Sequence, residues 1–389
     1  MRRVYLLALG SFAIGTDTFV TAGVLPAISG DLHVSVAAAG QLVTIFAVAF
    51  AVFAPLAAAL LAGVPRRTLL LAALGLFAAA NLLSALAPDF TVLLLTRVLA
   101  AAGAAAYTPT AAAGAAALVE PERRGRALAV VLGGITAATV LGVPITAYVG
   151  MQLAWRATFL VVAGLAVLAL VALAVVLPAV PAPPPAGLRA RLAVLAHPQV
   201  LLAILTTVLY YVGGFVVYTY LAPALSGGTA VTAAALAGFL LVFGVAGLIG
   251  NALGGRLTDR AGAAPVLLGG LAVFAAALLL FPAAIGSVAG TTVVLAVWGV
   301  SAWALTVPQQ HRLMAFAPGA PAVAIGLNSS ATFLGIGLSG LVGGVALDTI
   351  AAPSLGYLGG ALVVAALGVA ALQTVTSRRV AVRAAPMRA

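Results

Sequence analysis

The sequence has no cysteine or lysine, and it is poor in charge of either sign. Only 6% of its 389 residues are charged, whereas a soluble domain carries about 25%. The lack of cysteine excludes disulfides, thiolate metal sites and a cysteine nucleophile. No H-E-x-x-H or G-x-S-x-G pattern occurs either, so the residues offer no recognisable catalytic or metal-binding constellation and we expect no enzyme and no metal site.

Long apolar runs fill the chain instead. Hydrophobic residues make up 64% of the sequence, and a membrane-spanning helix needs about 20 mostly apolar residues in a row. Twelve such stretches occur, near residues 4–26, 37–62, 68–87, 90–118, 127–150, 155–178, 198–224, 231–254, 264–284, 291–313, 321–346 and 353–376. The sequence therefore predicts an all-α integral membrane protein with twelve transmembrane helices.

The arginines are distributed unevenly between the two sides of these spans. Sixteen of the eighteen fall at the N-terminus, in alternate loops or in the C-terminal tail: Arg2, Arg3, Arg66, Arg67, Arg123, Arg124, Arg126, Arg189, Arg191, Arg256, Arg260, Arg312, Arg378, Arg379, Arg383 and Arg388. By the positive-inside rule both termini are cytoplasmic. Topology and contact with anionic lipid thus account for the net charge of +11, and no nucleic-acid partner is needed.

The chain divides into two similar halves. A proline- and arginine-containing cytoplasmic linker over 179–197 separates a six-helix bundle over 1–178 from a second over 198–377, and a basic tail follows over 378–389. Residues 133–150 align with 326–343 at an offset of 193, and Arg67 falls on Arg260 at the same offset. Parallel six-helix repeats place a substrate site at their interface, near the middle of the membrane.

Two ionisable residues are predicted at one depth inside the membrane. Asp17 lies fourteen residues after Arg3, which is about 21 Å from the inner face, and Arg97 lies about 18 Å from it. A buried carboxylate and guanidinium make each other less costly, so both are candidates for proton coupling. Asp17 at a helix kink or interface, and Arg97 snorkelling outward, are the alternatives. Gln41 either joins this polar layer or is interfacial.

Aromatic residues cluster in the seventh and tenth spans. Tyr211, Phe215 and Tyr218 share one helix face, and Trp298 and Trp303 lie on the tenth span. These residues either line a pocket for a flat or amphiphilic substrate or form an interfacial aromatic belt.

Glycine and proline mark the fifth and eleventh spans, and a charged loop follows the eighth. Gly142, Pro144 and Gly335 are candidates for close helix packing and conformational change. "GIGLSG" (335–340) matches G-x-G-x-x-G, but no strand precedes it, so a dinucleotide site is rejected. "GRLTDRAG" combines a carboxylate with arginines, and its candidate residues are Gly255, Asp259, Arg260 and Gly262. They form either a charge latch that closes the inner face in one conformational state or a solvated turn.

Several of these motifs resemble the major facilitator superfamily, and in particular its twelve-span drug:proton antiporters, which include sugar-efflux and chloramphenicol-resistance members. "GTDTFVTAGVLP" is similar to the first-span motif, with Thr18 where an acid is usual. "RVLAAAG" resembles the fourth-span motif whose arginine, here Arg97, is linked to proton coupling. "ATVLGVPITAYVG" resembles the fifth-span antiporter motif, with Val143 inserted between Gly142 and Pro144. "GRLTDRAG" resembles the loop motif, whose first-half copy "AGVPRRTL" has no acid.

The resemblance implies the major facilitator fold and alternating access of two bundles around a central cavity. We therefore expect a monomeric, multi-pass transporter of the bacterial inner membrane that exports a small amphiphilic compound or drug. The proton gradient would supply the energy, and no cofactor is expected. Sugar or nucleoside export by the same fold is the alternative, and a passive channel or a membrane-embedded enzyme is less favoured.

Overall fold

The computed structural model describes residues 1–61, 63–178, 197–226 and 232–384. These residues form helices and connecting turns, without a strand among them. Twelve helical spans are long and apolar enough to cross a membrane, and each matches one predicted stretch, which confirms the all-α fold. Their helices are Arg2–Asp31, Val36–Leu60, Arg66–Ala85, Phe90–Ala117, Arg124–Ala137 with Val143–Gln152, Trp155–Val176, Pro198–Thr219, Ala233–Ala261, Ala263–Ala284, Val288–Ala304 with Thr306–Phe316, Pro321–Leu347 and Leu355–Ala384.

Short polar residues begin several spans. The side chains of Ser35, Asp89, Thr232 and Ser287 each accept a hydrogen bond from a backbone N–H three residues later. Such a bond satisfies a donor that has no partner within the helix. Gly262 separates the eighth and ninth spans with a φ of 86°, a conformation that a residue without Cβ adopts without strain.

The fifth span changes its winding in the middle of the membrane. Residues Ala138–Gly142 form a π-helical turn between Arg124–Ala137 and Val143–Gln152. Pro144, two residues after the turn, has no backbone N–H to donate. A π turn inserts one extra residue into the helix and is often found at functional sites.

The segments predicted to lie outside the bundles are only partly described. The predicted linker 179–197 lies outside the described residues except for His197, and so does the tail beyond residue 384. The assignment of two domains over 1–178 and 198–377 therefore stays a prediction.

Buried apolar residues show where the two halves meet. We call the side that carries Met1 and the 118–123 turn the terminal face, and the other side the opposite face. Near the opposite face one core unites first-half residues such as Leu25 and Phe159 with second-half residues such as Leu221 and Phe281. A second cluster, around Leu7 and Leu173, consists of first-half residues with Phe333 of the eleventh span packed against it, and a third, around Val200 and Leu313, lies within the second half.

Polar groups close the contact between the second and eleventh spans near the opposite face. The backbone carbonyl of Gly340 accepts hydrogen bonds from Tyr220 at 2.7 Å and from Gln41 at 3.4 Å. The Tyr220 ring occupies space that side chains at Gly40 and Gly343 would fill. Another link holds the first span to the sixth, where Trp155 and Arg156 donate to Asp31. These hydrogen bonds, from Arg156 and then Trp155, hold the pKa of the Asp31 carboxyl below its usual value.

The close approach of the second and eleventh spans can be tested by disulfide formation. A Cβ atom at position 337 would lie 3.2 Å from the backbone N of Val48, which brings two cysteines within reach of a disulfide. We expect Val48→Cys/Gly337→Cys to cross-link on mild oxidation, as a shift on denaturing gels. Because the natural sequence has no cysteine, each single-cysteine variant is a control that should show no shift in gel mobility. Failure of the double variant to cross-link would contradict this packing.

Candidate functional site

An ion pair lies inside the first half, at the depth of the predicted polar layer. Arg97 Nη1 donates to Asp17 Oδ1 at 2.9 Å, and the two side chains are 1% and 0% exposed. The first span supplies the carboxylate and the fourth the guanidinium. The structure therefore brings together the two residues selected from depth alone, and neither the interfacial position of Asp17 nor the snorkelling of Arg97 is observed.

The third span completes the polar surroundings of Arg97. Arg97 Nη2 donates to Asn81 Oδ1 at 3.2 Å and to Ser84 Oγ at 3.4 Å. The Phe159 ring lies 4.8 Å from the guanidinium carbon, a cation–π distance. Sequence reasoning missed Asn81 and Ser84, although two buried polar residues three positions apart in an apolar run are a usable signal.

The ion pair retains unused hydrogen-bonding capacity. Within the described part of the chain, Asp17 Oδ2 and Arg97 Nε are buried and have no hydrogen-bond partner. Buried polar groups are normally satisfied, and each exception calls for a physical reason. One free carboxylate oxygen in an enclosed site is suited to accept a proton.

A separate cavity of about 170 Å³ lies at the junction of the halves, mostly within the second half. All five aromatic residues predicted as substrate contacts line it: Tyr211, Phe215, Tyr218, Trp298 and Trp303. They therefore line a pocket and do not form an interfacial belt. Sequence reasoning missed the other ten lining residues, because the packing of several spans creates the wall. They are Phe19, Ile135, Tyr210, Gly214, Phe243, Phe274, Ala302, Thr332, Phe333 and Ile336.

Asp17 does not line this cavity, although its helix does. Phe19 is two residues further along the first span, which turns its side chain about 200° from that of Asp17. The Phe19 ring lies 5.8 Å from Phe215 and 6.3 Å from Tyr218. The first span thus presents its charge to the first half and an aromatic ring to the cavity.

The fifth span also contacts the helix segment around Asp17. A side chain at Gly142 would collide with Thr16, the residue before Asp17, and one at Gly244 of the eighth span would collide with the backbone of Thr139. Gly142 and Thr139 both belong to the π turn. This turn is therefore packed between the first span and the second half. Pro144 is buried just beyond it, whereas Gly335 packs against Tyr211 and Val208 within the second half.

Gln41 lies near the opposite face, which agrees with the interfacial alternative and not with a place in the polar layer. Its amide contacts the backbone of Ala37 and Gly340, and it lines neither the aromatic cavity nor the Asp17–Arg97 pair. The reason is local packing, because the glycines at 340 and 344 leave room for this side chain against the eleventh span. We correct the expectation that Gln41 contributes to the polar layer or to substrate contact.

The predicted latch is open in this structure. Asp259 and Arg260 are exposed, and Asp259 forms no ion pair within 4.0 Å among the residues described. Gly255 and Gly262 flank them, and a side chain at Gly262 would meet no neighbour. A closing role for these four residues in another state stays a prediction.

Arg312 was assigned to a loop, but it is buried in the second half at 6% exposure. Its Nη2 donates to Gln373 Oε1 at 2.7 Å and to Thr374 Oγ1 at 3.3 Å. The tenth span continues as Thr306–Phe316 and carries Arg312 inward. The sequence does not predict this burial, because a cation near the end of an apolar run usually reaches the membrane interface.

Comparisons with known proteins agree with this architecture. A family model described as Major Facilitator Superfamily matches residues 7–340. The chain is 38% identical over 369 residues to a chloramphenicol resistance protein of Streptomyces lividans, with 92% of this chain and 90% of that protein covered. It is 36% identical over 351 residues to the inner membrane transport protein YdhP of Escherichia coli (strain K12), with 90% and 89% covered.

A solved structure shares the fold. A bacterial homologue of the human lysosomal transporter Spinster, in an inward-facing and occupied conformation, superposes with a TM-score of 0.77. The sequence identity is 18%, and 97% of this chain and 96% of the other are covered. At this identity the likeness concerns the fold alone.

Energetic coupling between Asp17 and Arg97 can be measured with a double-mutant cycle. Removing one member of a buried ion pair costs about 3–5 kcal/mol because the other charge is left unpaired. We expect Asp17→Leu and Arg97→Leu each to lower the midpoint of thermal unfolding in detergent markedly, and the double variant to lower it by less than their sum. Additive losses would show that the two charges are not coupled.

Proposed function

Because the chain belongs to the major facilitator superfamily, we propose that it is a proton-coupled transporter that exports a small amphiphilic compound or drug by alternating access. The observation that carries this proposal is the enclosed Asp17–Arg97 pair, whose aspartate lies on a helix that also lines the aromatic cavity through Phe19. The pair supplies a proton site, the cavity supplies a substrate site, and one helix joins them.

The proton step follows from the charges of the pair. Ionised Asp17 compensates Arg97, and uptake of a proton on Asp17 Oδ2 removes that compensation. The first half then favours another arrangement of the helices around the guanidinium, since a ligand shifts an equilibrium by binding two states unequally. Release of the proton on the other side of the membrane restores the pair. Each proton carried down a membrane potential supplies about 2.3 kcal/mol per 100 mV.

Competition between proton and substrate is indirect in this scheme, because the carboxylate does not line the cavity. Movement of the first span at Asp17 shifts Phe19 against Phe215 and Tyr218. The same movement shifts Thr16 against the π turn of the fifth span, which contacts Gly244. Both routes transmit the state of the pair to the second half.

The cavity walls favour a flat apolar substrate. Aromatic rings form most of the lining, and hydroxyl groups on Tyr210, Tyr211, Tyr218 and Thr332 are the main polar groups. Sugars require several hydrogen-bonding side chains around them, so this wall supports an amphiphilic drug over sugar or nucleoside export. The chloramphenicol resistance activity named for the Streptomyces lividans relative agrees with this choice.

The transporter is a multi-pass membrane protein, and we place it in the bacterial inner membrane as a monomer. The terminal face, which carries the predicted cytoplasmic arginines, is then the cytoplasmic side. The halves share one core near the opposite face, which supports loading of substrate from the cytoplasmic side. No cofactor takes part, and protons are the coupling partner.

Replacing the carboxylate tests the proton step. In proteoliposomes with an imposed pH gradient, we expect Asp17→Asn to reduce gradient-driven drug export to background while drug binding measured in detergent stays within about twofold, because the side chain lies outside the cavity. Asp89→Asn is the matched control, since Asp89 caps an exposed helix end and Asn caps equally well. Full gradient-driven export by Asp17→Asn would refute proton coupling at this residue.

Replacing a cavity ring tests the substrate site. Phe215→Ala removes a ring that stacks on Tyr211 at 5.8 Å, and an aromatic contact contributes about 0.5–1.5 kcal/mol. We expect drug affinity to fall by up to about tenfold in tryptophan-quenching titrations. Tyr148→Ala, at a side chain 44% exposed on the fifth span, should leave affinity unchanged, and equal losses in both variants would contradict the assignment.

A further inference from the structure

An apolar groove runs along the surface of the first half between the second, third and fourth spans. It consists of two adjoining cavities of about 130 and 370 Å³ that share Ala57, Leu61, Leu69 and Ala106. Leu60, at its edge, is 77% exposed. The groove therefore opens to the surroundings of the bundle and is separate from the aromatic cavity.

The groove has the length of one membrane leaflet. On the third span it extends from Arg66 to Leu76, ten residues or about 15 Å. The hydrocarbon core of a bilayer is about 30 Å thick. The groove thus begins at the terminal face and ends near the middle of the membrane, as the acyl chain of a lipid in that leaflet does.

Small residues make the groove wide enough for a chain. Its walls on the second and fourth spans include Ala57, Ala58, Ala102, Gly103 and Ala106. Few side-chain atoms project from these positions, so the helices leave a channel between them although their backbones are close.

A cation closes the groove at the terminal face. Arg66 lines this end and donates from Nη1 to the carbonyl of Ala113 at 3.2 Å. Its Nε is buried and has no hydrogen-bond partner in the described ranges, and no carboxylate lies within 4.0 Å of its nitrogens there. Glu120, in the turn after the fourth span, is paired with Arg123 at 3.7 Å. Arg66 therefore presents an uncompensated positive charge at the headgroup level.

The internal repeat shows that this charge is peculiar to the first half. At the offset of 193, Arg66 falls on Asp259 and Arg67 on Arg260. The second-half loop thus has its own carboxylate, whereas the first-half loop "AGVPRRTL" has two arginines and no acid. An anion from outside the chain can supply the missing negative charge.

We propose that this groove binds one anionic phospholipid of the terminal-face leaflet, with its phosphate on Arg66 and one acyl chain against Ala57 and Ala106. A guanidinium matches a phosphate through paired hydrogen bonds, and basic pockets between membrane helices are a known form of anionic lipid recognition. The site is independent of the proposed transport cycle, since neither Asp17 nor the aromatic cavity takes part.

Native mass spectrometry of the full chain in detergent tests the site. Phosphatidylglycerol and phosphatidylcholine with identical acyl chains are titrated separately, and the apparent affinity of the first bound lipid is compared. We expect phosphatidylglycerol to bind wild-type protein more tightly, and Arg66→Gln to weaken it about fivefold, the effect of one basic residue near a membrane surface. Arg256→Gln removes an exposed arginine near the end of the eighth-span helix and should leave the affinity unchanged.

A second variant separates the groove from the charge alone. Ala57→Phe fills the shared part of the two cavities and keeps Arg66, so it should weaken binding of both lipids. Equal affinity of the wild-type protein for the two lipids would overturn the proposal. Equal losses of phosphatidylglycerol affinity in Arg66→Gln and Arg256→Gln would also overturn it, and so would wild-type affinity for the first bound lipid in Ala57→Phe.

Discussion

The ion pair between Asp17 and Arg97 is the constraint around which the first half is built. A single charge at this depth costs about 2.5–3.5 kcal/mol on insertion scales, so each member requires the other, and the guanidinium also requires Asn81 and Ser84 from the third span. Three spans are thereby held in register by polar contacts within an otherwise apolar bundle. A neutral Asp17 would leave the guanidinium with only the uncharged partners Asn81 and Ser84.

Small residues determine how closely the first half packs against the second. Helices in a membrane associate through close packing and hydrogen bonds, because lipid provides no hydrophobic drive between them. Here glycine lets the fifth and eighth spans touch at the π turn, and it lets Tyr220 and Gln41 reach the eleventh-span backbone. These contacts join the two halves through the fifth and eighth spans and through the second and eleventh spans.

Sequence reasoning recovered the elements with strong one-dimensional signals. Apolar run length gave the twelve spans, and counting residues along two helices placed Asp17 and Arg97 at one level. Helical spacing grouped Tyr211, Phe215 and Tyr218. Positions that depend on several spans at once were missed. Phe243 and Phe274 reach the cavity through packing, Gln41 contacts the carbonyl of Gly340, and Arg312 is buried against the twelfth span.

Separation of the charge from the cavity has a consequence for substrate choice. A carboxylate that both carried the proton and contacted the drug would select for substrates of complementary charge, since a buried unpaired charge is costly. In the proposed scheme the drug would meet aromatic faces and a few hydroxyl groups, while the first span would report the proton through Phe19. The aromatic rings of the cavity can bind flat molecules of different shapes through dispersion and stacking. Proton coupling and tolerance toward substrate shape can therefore coexist, because different faces of one helix serve them.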